Sequence, residues 1–228
     1  MRPWITLATA DAPGGDGPLA LLQRDTEYVI RVRGVELMSS RRHGSEAEMA
    51  HHASAALGRR GARALVGGLG FGYTLQAGKD LLGPAGSVVV AEISAAVIDW
   101  NRRLVGHLAG HPLADARVSV EHVDVRTYLA SAAAASFDAI LMDVDNGPSP
   151  VTAASNGLLW NPAGMAGLAR VLRPGGTLVV WSSNPDPGFA RQLAAAGLSV
   201  TTREARAAGG RAGQSGRGPR HTLFVAAG

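Results

Sequence analysis

The chain has 228 residues, enough to bury one sizeable core with a small appendage but cramped for two full domains. Its 46% hydrophobic and 18% charged residues exclude an intrinsically disordered protein, and the lack of any cysteine excludes a disulfide framework, a thiolate nucleophile and a cysteine-ligated zinc, which fits a cytoplasmic setting. Much of the formal charge of +4 comes from arginines between Arg203 and Arg220, where no aromatics interleave, so a nucleic-acid partner is not expected.

Residues 1–10 lack the basic leader and apolar run of a signal peptide, and no stretch reaches the roughly 20 apolar residues of a membrane span, so no membrane partner is expected. From Leu19 to Met38 the pattern predicts a two- or three-stranded β-meander, broken at Arg24-Asp25-Thr26 and at Gly34. A helix over 45–57 comes next, with Ser45 as its predicted cap. The basic link Gly58 to Arg63 then divides a small N-terminal unit, residues 1–60, from a main domain, residues 61–228.

Beyond Arg63 short apolar runs alternate with helical ones, which predicts an α/β domain: a Rossmann-like, seven-stranded, mostly parallel sheet with helices on both faces. Predicted strands cover 64–67, 88–92, 118–123, 139–143, 178–181, 199–203 and 222–225. Predicted helices cover 73–82, 94–108, 125–135, 162–171 and 188–196. The last two strands are joined by a glycine-rich stretch, 207–219, which suits a hairpin loop rather than a crossover helix.

The strongest chemical signal is the strand-to-helix passage Ala64-Leu-Val-Gly-Gly-Leu-Gly-Phe-Gly-Tyr-Thr74, in which Gly68, Gly70 and Gly72 let the backbone turn sharply and approach a ligand. Glu92 stands 20 residues after Gly72 at the end of the next strand, where a carboxylate can accept both vicinal hydroxyls of a ribose. Asp124 comes after the third strand and either takes the exocyclic amine of adenine or caps the helix that begins at Val125; Ile93 and Val125 could flank the ring. A nicotinamide enzyme would need a substantial substrate domain, for which little chain remains. His51 and His52 are adjacent and point about 100° apart on a helix, so they make no zinc pair and no metal is expected. Trp160 and Trp181 read as core or cleft walls.

The segment Ala169 to Trp181, with Pro174-Gly175-Gly176, resembles the turn before the fifth strand of class I S-adenosylmethionine enzymes. Within that superfamily, Val66-Gly-Gly-Leu-Gly-Phe-Gly72, the fourth-strand run Phe137-Asp-Ala-Ile-Leu-Met-Asp-Val-Asp-Asn-Gly-Pro148 and the preceding β-meander are similar to spermidine synthases, over about Leu19 to Val225. The chain departs from that family at Phe71, where an aspartate is usual, in the two-residue spacing of Asp143 and Asp145, and at Arg42-His-Gly-Ser-Glu46. The resemblance implies decarboxylated S-adenosylmethionine or S-adenosylmethionine as cofactor, with methylthioadenosine or S-adenosylhomocysteine as product. It further implies a small-molecule amine acceptor, Asp143 as the group that orients and deprotonates it, and substrate contacts from Asp145, His43 and Glu46; a homodimer is compatible with it. Methyl transfer from S-adenosylmethionine is the alternative. A third reading, an idle nucleoside-binding module, predicts a pocket filled by Phe71 and Tyr73.

Overall fold

Two sheets organise the computed structural model, which describes residues 2–15, 17–144, 147–148, 156–208 and 217–228. The first is antiparallel and runs β1 (Ile5–Asp11), β2 (Pro18–Arg24), β3 (Glu27–Val32) and β4 (Val35–Ser39) in that spatial order. Arg33 and Gly34, both at positive φ, make the tight turn between β3 and β4, the backbone that a twisted two-residue hairpin requires. The expected meander is present with three strands, β2 to β4, and β1 adds a fourth at the edge; its threonine- and alanine-rich alternation gives little apolar contrast in the sequence. Leu19, Leu21, Ile30 and Val32 bury one face, in the same apolar cluster as Val66, Leu75 and Val90 of the main domain. The N-terminal sheet and the main sheet thus share one core.

The predicted helix over 45–57 is present as α1 (Gly44–His52) and α2 (Ser54–Leu57), but Ser45 does not cap it. The cap position is His43, whose side chain makes no capping bond; the helix starts two residues earlier than a Ser45 cap requires and carries Ser45 to other partners.

The main sheet comprises β5 (Arg63–Gly67), β6 (Ser87–Glu92), β7 (Val118–His122), β8 (Phe137–Met142), β9 (Leu172–Ser182), β10 (Ser199–Ala208) and β11 (Arg217–Ala227), in the order β10-β11-β9-β8-β5-β6-β7. The pairs among β9, β8, β5, β6 and β7 are parallel, and β11 pairs antiparallel with both β9 and β10. This is the expected α/β architecture. Successive residues feed opposite faces: Val66, Val90 and Leu141 join one apolar cluster, Leu65, Val89 and Ile140 the other. Pairing of β9 with β8 jumps from Phe137–Leu172 to Ala139–Thr177, so the Pro174-Gly175-Gly176 segment bulges out within the strand.

The remaining helices are α3 (Tyr73–Leu81), α4 (Ala95–Trp100), α5 (Val125–Ser131), α6 (Asn156–Leu159), α7 (Pro162–Val171) and α8 (Pro187–Ala195). Ser94, Asp124, Asn161 and Asp186 cap α4, α5, α7 and α8 through side-chain oxygens that accept backbone N–H bonds. The continuous helix expected over 94–108 is not formed. After Trp100 it widens into a π-helical turn, Asn101–Val105, and tightens into a 3-10 turn, Gly106–Ala109, while the Asn101 side chain donates to the Gly70 carbonyl at 2.7 Å. The β10–β11 hairpin is as expected; its linking residues 209–216 lie outside the described residues.

The chain order reverses beside β5, which has β6 on one flank and β8 on the other, and open α/β sheets place ligands at the carboxyl ends of strands at such a point. There Gly68 has φ +86, and a Cβ on it would overlap the carbonyl oxygen of Asp143. Gly68→Ala is expected to cost at least about 2 kcal/mol of stability, from left-handed backbone and the forced separation of β5 and β8. Urea unfolding of variant and parent measures this; equal stability would show that the loop does not close on β8.

Candidate functional site

A cavity of about 610 Å³ opens at the carboxyl ends of the central strands, a size suited to a nucleoside-containing ligand. On the β5–β7 side it is lined by Gly68, Gly70, Glu92, Ile93, Asp124 and Val125. On the β8–β11 side Asp143, Trp181 and His221 meet Glu46 of α1 and Tyr73 of α3. Gly72, at φ +85, stands behind the wall as the N-cap of α3. Six of the seven residues expected to hold a cofactor therefore face one space.

Glu92 is buried, and each of its oxygens already serves the backbone: Oε2 accepts from Leu69 N at 2.8 Å and Oε1 from Ser94 N at 2.7 Å. The acid ties the glycine loop to the head of α4, while Ser94 does the capping. Burial raises its pKa, and the two amide bonds oppose that rise. Each carboxylate oxygen keeps a second lone pair for a further donor. Ile93 is 44% exposed at the rim of the cavity, whereas Val125 is buried in its wall.

For Asp124 the structure realises the capping alternative. Its carboxylate accepts from Arg126 N at 2.8 Å and holds the Arg126 guanidinium through Nε and Nη2. Burial alone would raise its pKa, but these bonds outweigh it and hold the acid below its ordinary value. An adenine amine would have to share oxygens that Arg126 already occupies.

Asp143 closes β8 and accepts from the Thr74 hydroxyl at 2.6 Å through Oδ2. Burial raises its pKa, against the pull of that bond. Glu46 sits across from it, and burial together with the Asp143 charge pushes the Glu46 pKa up to about 8. Tyr73 lines the same cavity, and its phenol is pushed up to about 12 by burial and by the Glu46 charge. His43 does not line the cavity: the turn into α1 lays it flat on the outer face of the Tyr73 ring, centroids 4.0 Å apart at 16°. Asp145 lies outside the described residues.

Phe71 is buried in the cavity wall, edge-on to Tyr73, and the two rings leave the cavity open rather than filling it as an idle module would require. Trp160 packs in the core and Trp181 lines the cavity, as anticipated. No group of three or more metal-ligating side chains occurs among the described residues, and no helix there is long and apolar enough to cross a membrane.

Sequence reasoning passed over Thr74, Arg42 and His221. Thr74 carried a signal, a hydroxyl in the first turn after the glycine loop. Arg42, paired with Glu36 on the rim, and His221, on the last strand, enter the cavity only through tertiary packing.

No protein-family model matches the chain, and no curated protein matches it in sequence. Among solved structures, a spermidine synthase from Thermotoga maritima superposes with a TM-score of 0.74 at 13% identity, over 97% of this chain and 72% of that one. A spermidine synthase in complex with the transition-state analogue AdoDATO superposes with a TM-score of 0.77 at 15% identity, over 97% of this chain and 73% of that one. At these identities the likeness establishes a shared fold.

Because its folded pKa is raised to about 8, Glu46 binds a proton in the folded state that it lacks when unfolded, between the ordinary carboxylate range and that value. Stability should therefore fall as pH rises through that window. Glu46→Gln removes the titration, so the variant is expected to gain on the parent by about 2 kcal/mol between acid and alkaline pH, allowing for partial solvent screening. Urea unfolding across the window tests this, and a pH-independent difference would contradict it.

Proposed function

We propose that this chain transfers an aminopropyl group from decarboxylated S-adenosylmethionine to a di- or polyamine. The observation that carries the reading is the Glu46–Asp143 pair: two largely buried carboxylates that line one cavity are relieved by a cation between them. A carboxylate at the ribose position, an apolar side chain at the rim and glycines that a Cβ would crowd supply a nucleoside cradle on the other side.

When bound, the donor supplies a positively charged sulfur beside an electrophilic carbon. In this reading Glu92 holds the ribose hydroxyls on its remaining lone pairs, with Ile93 and Val125 against the adenine and Asp124 at its amine edge. Gly68, Gly70 and Gly72 shape the backbone that the ligand lies on. Asp143, fixed by Thr74, orients the attacking ammonium and accepts its proton, since only a neutral amine has a lone pair to give. Glu46 and Asp145 bind the rest of a diamine, and His43 backs the wall through Tyr73. Methylthioadenosine is then the product, in a cytoplasmic enzyme that needs neither metal nor nucleic acid and for which a homodimer is compatible.

Methyl transfer from S-adenosylmethionine is the second reading, favoured by two observations. Phe71 stands in the glycine loop where an acid would hold the aminopropyl ammonium, and Arg42 offers a cation on the rim for a carboxylate.

Glu92→Gln is expected to weaken methylthioadenosine binding by at least about tenfold in calorimetric titration, the loss of charge-assisted bonds; unchanged affinity would refute the ribose assignment. Asp143→Asn should keep that affinity while aminopropyl transfer to putrescine falls by about 100-fold or more, partly restored at high pH where the amine is already neutral. Unchanged turnover removes Asp143 from the chemistry, and a parent that only transfers methyl groups from S-adenosylmethionine belongs to the second reading.

A further inference from the structure

The β9–β11 wall of the cavity holds a hydrogen-bond cluster that the proposed reaction does not yet use. Ser45 is buried, and its hydroxyl lies 2.8 Å from Glu46 Oε2, 3.1 Å from Trp181 Nε1 and 3.0 Å from His221 Nδ1. The last two come from strands far away in sequence: Trp181 lies near the end of β9, and His221 lies on β11, edge-on to the Trp181 ring with centroids 4.6 Å apart. His221 also lines the cavity, and no hydrogen bond to its Nε2 is formed among the described residues.

One hydroxyl has one proton and two lone pairs. Trp181 Nε1 can only donate, so it takes one lone pair, and the single Ser45 proton must go either to Glu46 or to His221. If Glu46 is ionised, its carboxylate can only accept. Ser45 then donates to it, His221 must donate from Nδ1, and Nε2 of this cavity-lining residue is left as a bare lone pair. If Glu46 is protonated and donates to Ser45, the hydroxyl turns to His221 Nδ1, and the imidazole proton sits on Nε2. The two states exchange without moving a heavy atom.

We propose that Ser45 relays the charge of Glu46 to His221, so that His221 presents Nε2 as a proton acceptor on the cavity wall when a substrate ammonium holds Glu46 ionised. This rests on the aminopropyl reading and adds His221 beside Asp143 as a second acceptor for the one proton that the attacking ammonium loses in each turnover. Charges around the relay agree. Burial and the Arg42 charge lower the His221 pKa, which keeps the ring neutral and its tautomer meaningful, while Asp143 and Tyr73 face Glu46 from β8 and α3. On β10 the residue opposite His221 is the uncharged Ala205. The step balances: an ammonium proton passes to Nε2, the nitrogen lone pair forms the new N–C bond, and the C–S bond breaks with its pair on sulfur. The imidazolium then releases its proton to solvent.

The test is 15N NMR of the imidazole nitrogens in histidine-labelled protein, with His221 assigned from a His221→Asn variant. Between about pH 6.5 and about pH 9.5, above the ordinary histidine range, the ring should pass from the Nε2–H to the Nδ1–H form, following Glu46 near its pKa of about 8. Glu46→Gln and Ser45→Ala should each abolish that change. A tautomer that stays constant in the parent, or that changes equally in Glu46→Gln, overturns the relay.

In a second arm at about pH 7, putrescine added with methylthioadenosine should drive the same change, with calorimetry of the same samples reporting whether the diamine binds. Binding without a tautomer change overturns the relay. A pH-driven change without any diamine binding leaves the relay standing but overturns both the aminopropyl reading and the use of His221 as acceptor. His221→Phe should lower aminopropyl transfer at neutral pH by about tenfold or more with donor affinity unchanged; full activity would limit His221 to the cavity wall.

Discussion

Burial of two carboxylates, Glu46 and Asp143, in the wall of one cavity is the constraint on which the cavity's chemistry depends. Separated in water, each would be an ordinary carboxylate; held together in a largely desolvated space, they cannot both ionise without cost, and burial and the neighbouring charge raise Glu46 to about 8. A site in that state favours whatever brings positive charge to it. The same pair separates the two transferase readings, because a donor bearing a carboxylate is repelled where one bearing only an ammonium is drawn in.

The fold is what brings the pair together. Asp143 is fixed by the end of β8, by the close approach of Gly68 and by the Thr74 hydroxyl on α3. Glu46 comes from α1, which packs against α3, β9, β10 and β11, so the segment ahead of the main sheet completes the cavity from outside. Glu92 performs the matching task on the other side, spending one lone pair of each oxygen on the glycine loop and on α4. Its position before any ligand arrives is thereby set, and such preorganisation lowers the cost of binding.

Much of this was legible in the sequence because the signals are local. Apolar runs broken by glycine marked all seven strands of the main sheet, and Asp124 was readable as the cap of a helix that it does cap. Glu92 and Asp143 were readable as strand-end acids. What failed was decided by tertiary contact. Where a helix that propensity would continue changes pitch, Asn101 donates to Gly70 across the fold, and two extra N-terminal residues turn Ser45 from a cap into the centre of a buried cluster. His221 entered through the antiparallel pairing of β11, which no spacing encodes. Asp124 shows the limit of a residue with two plausible tasks: it caps α5 and holds Arg126, so an adenine amine has to share its oxygens with both.

The central claim, that the acidic end of the cavity is built to take an ammonium group, is tested most directly by titrating putrescine into protein saturated with methylthioadenosine, in two buffers of different ionisation enthalpy near neutral pH. If Glu46 holds a proton in the empty cavity and gives it up to a bound diamine, the heats in the two buffers will differ by the release of a substantial fraction of one proton per site, and Glu46→Gln will remove the difference. Diamine binding with no proton release, or no diamine binding at all, would contradict the claim.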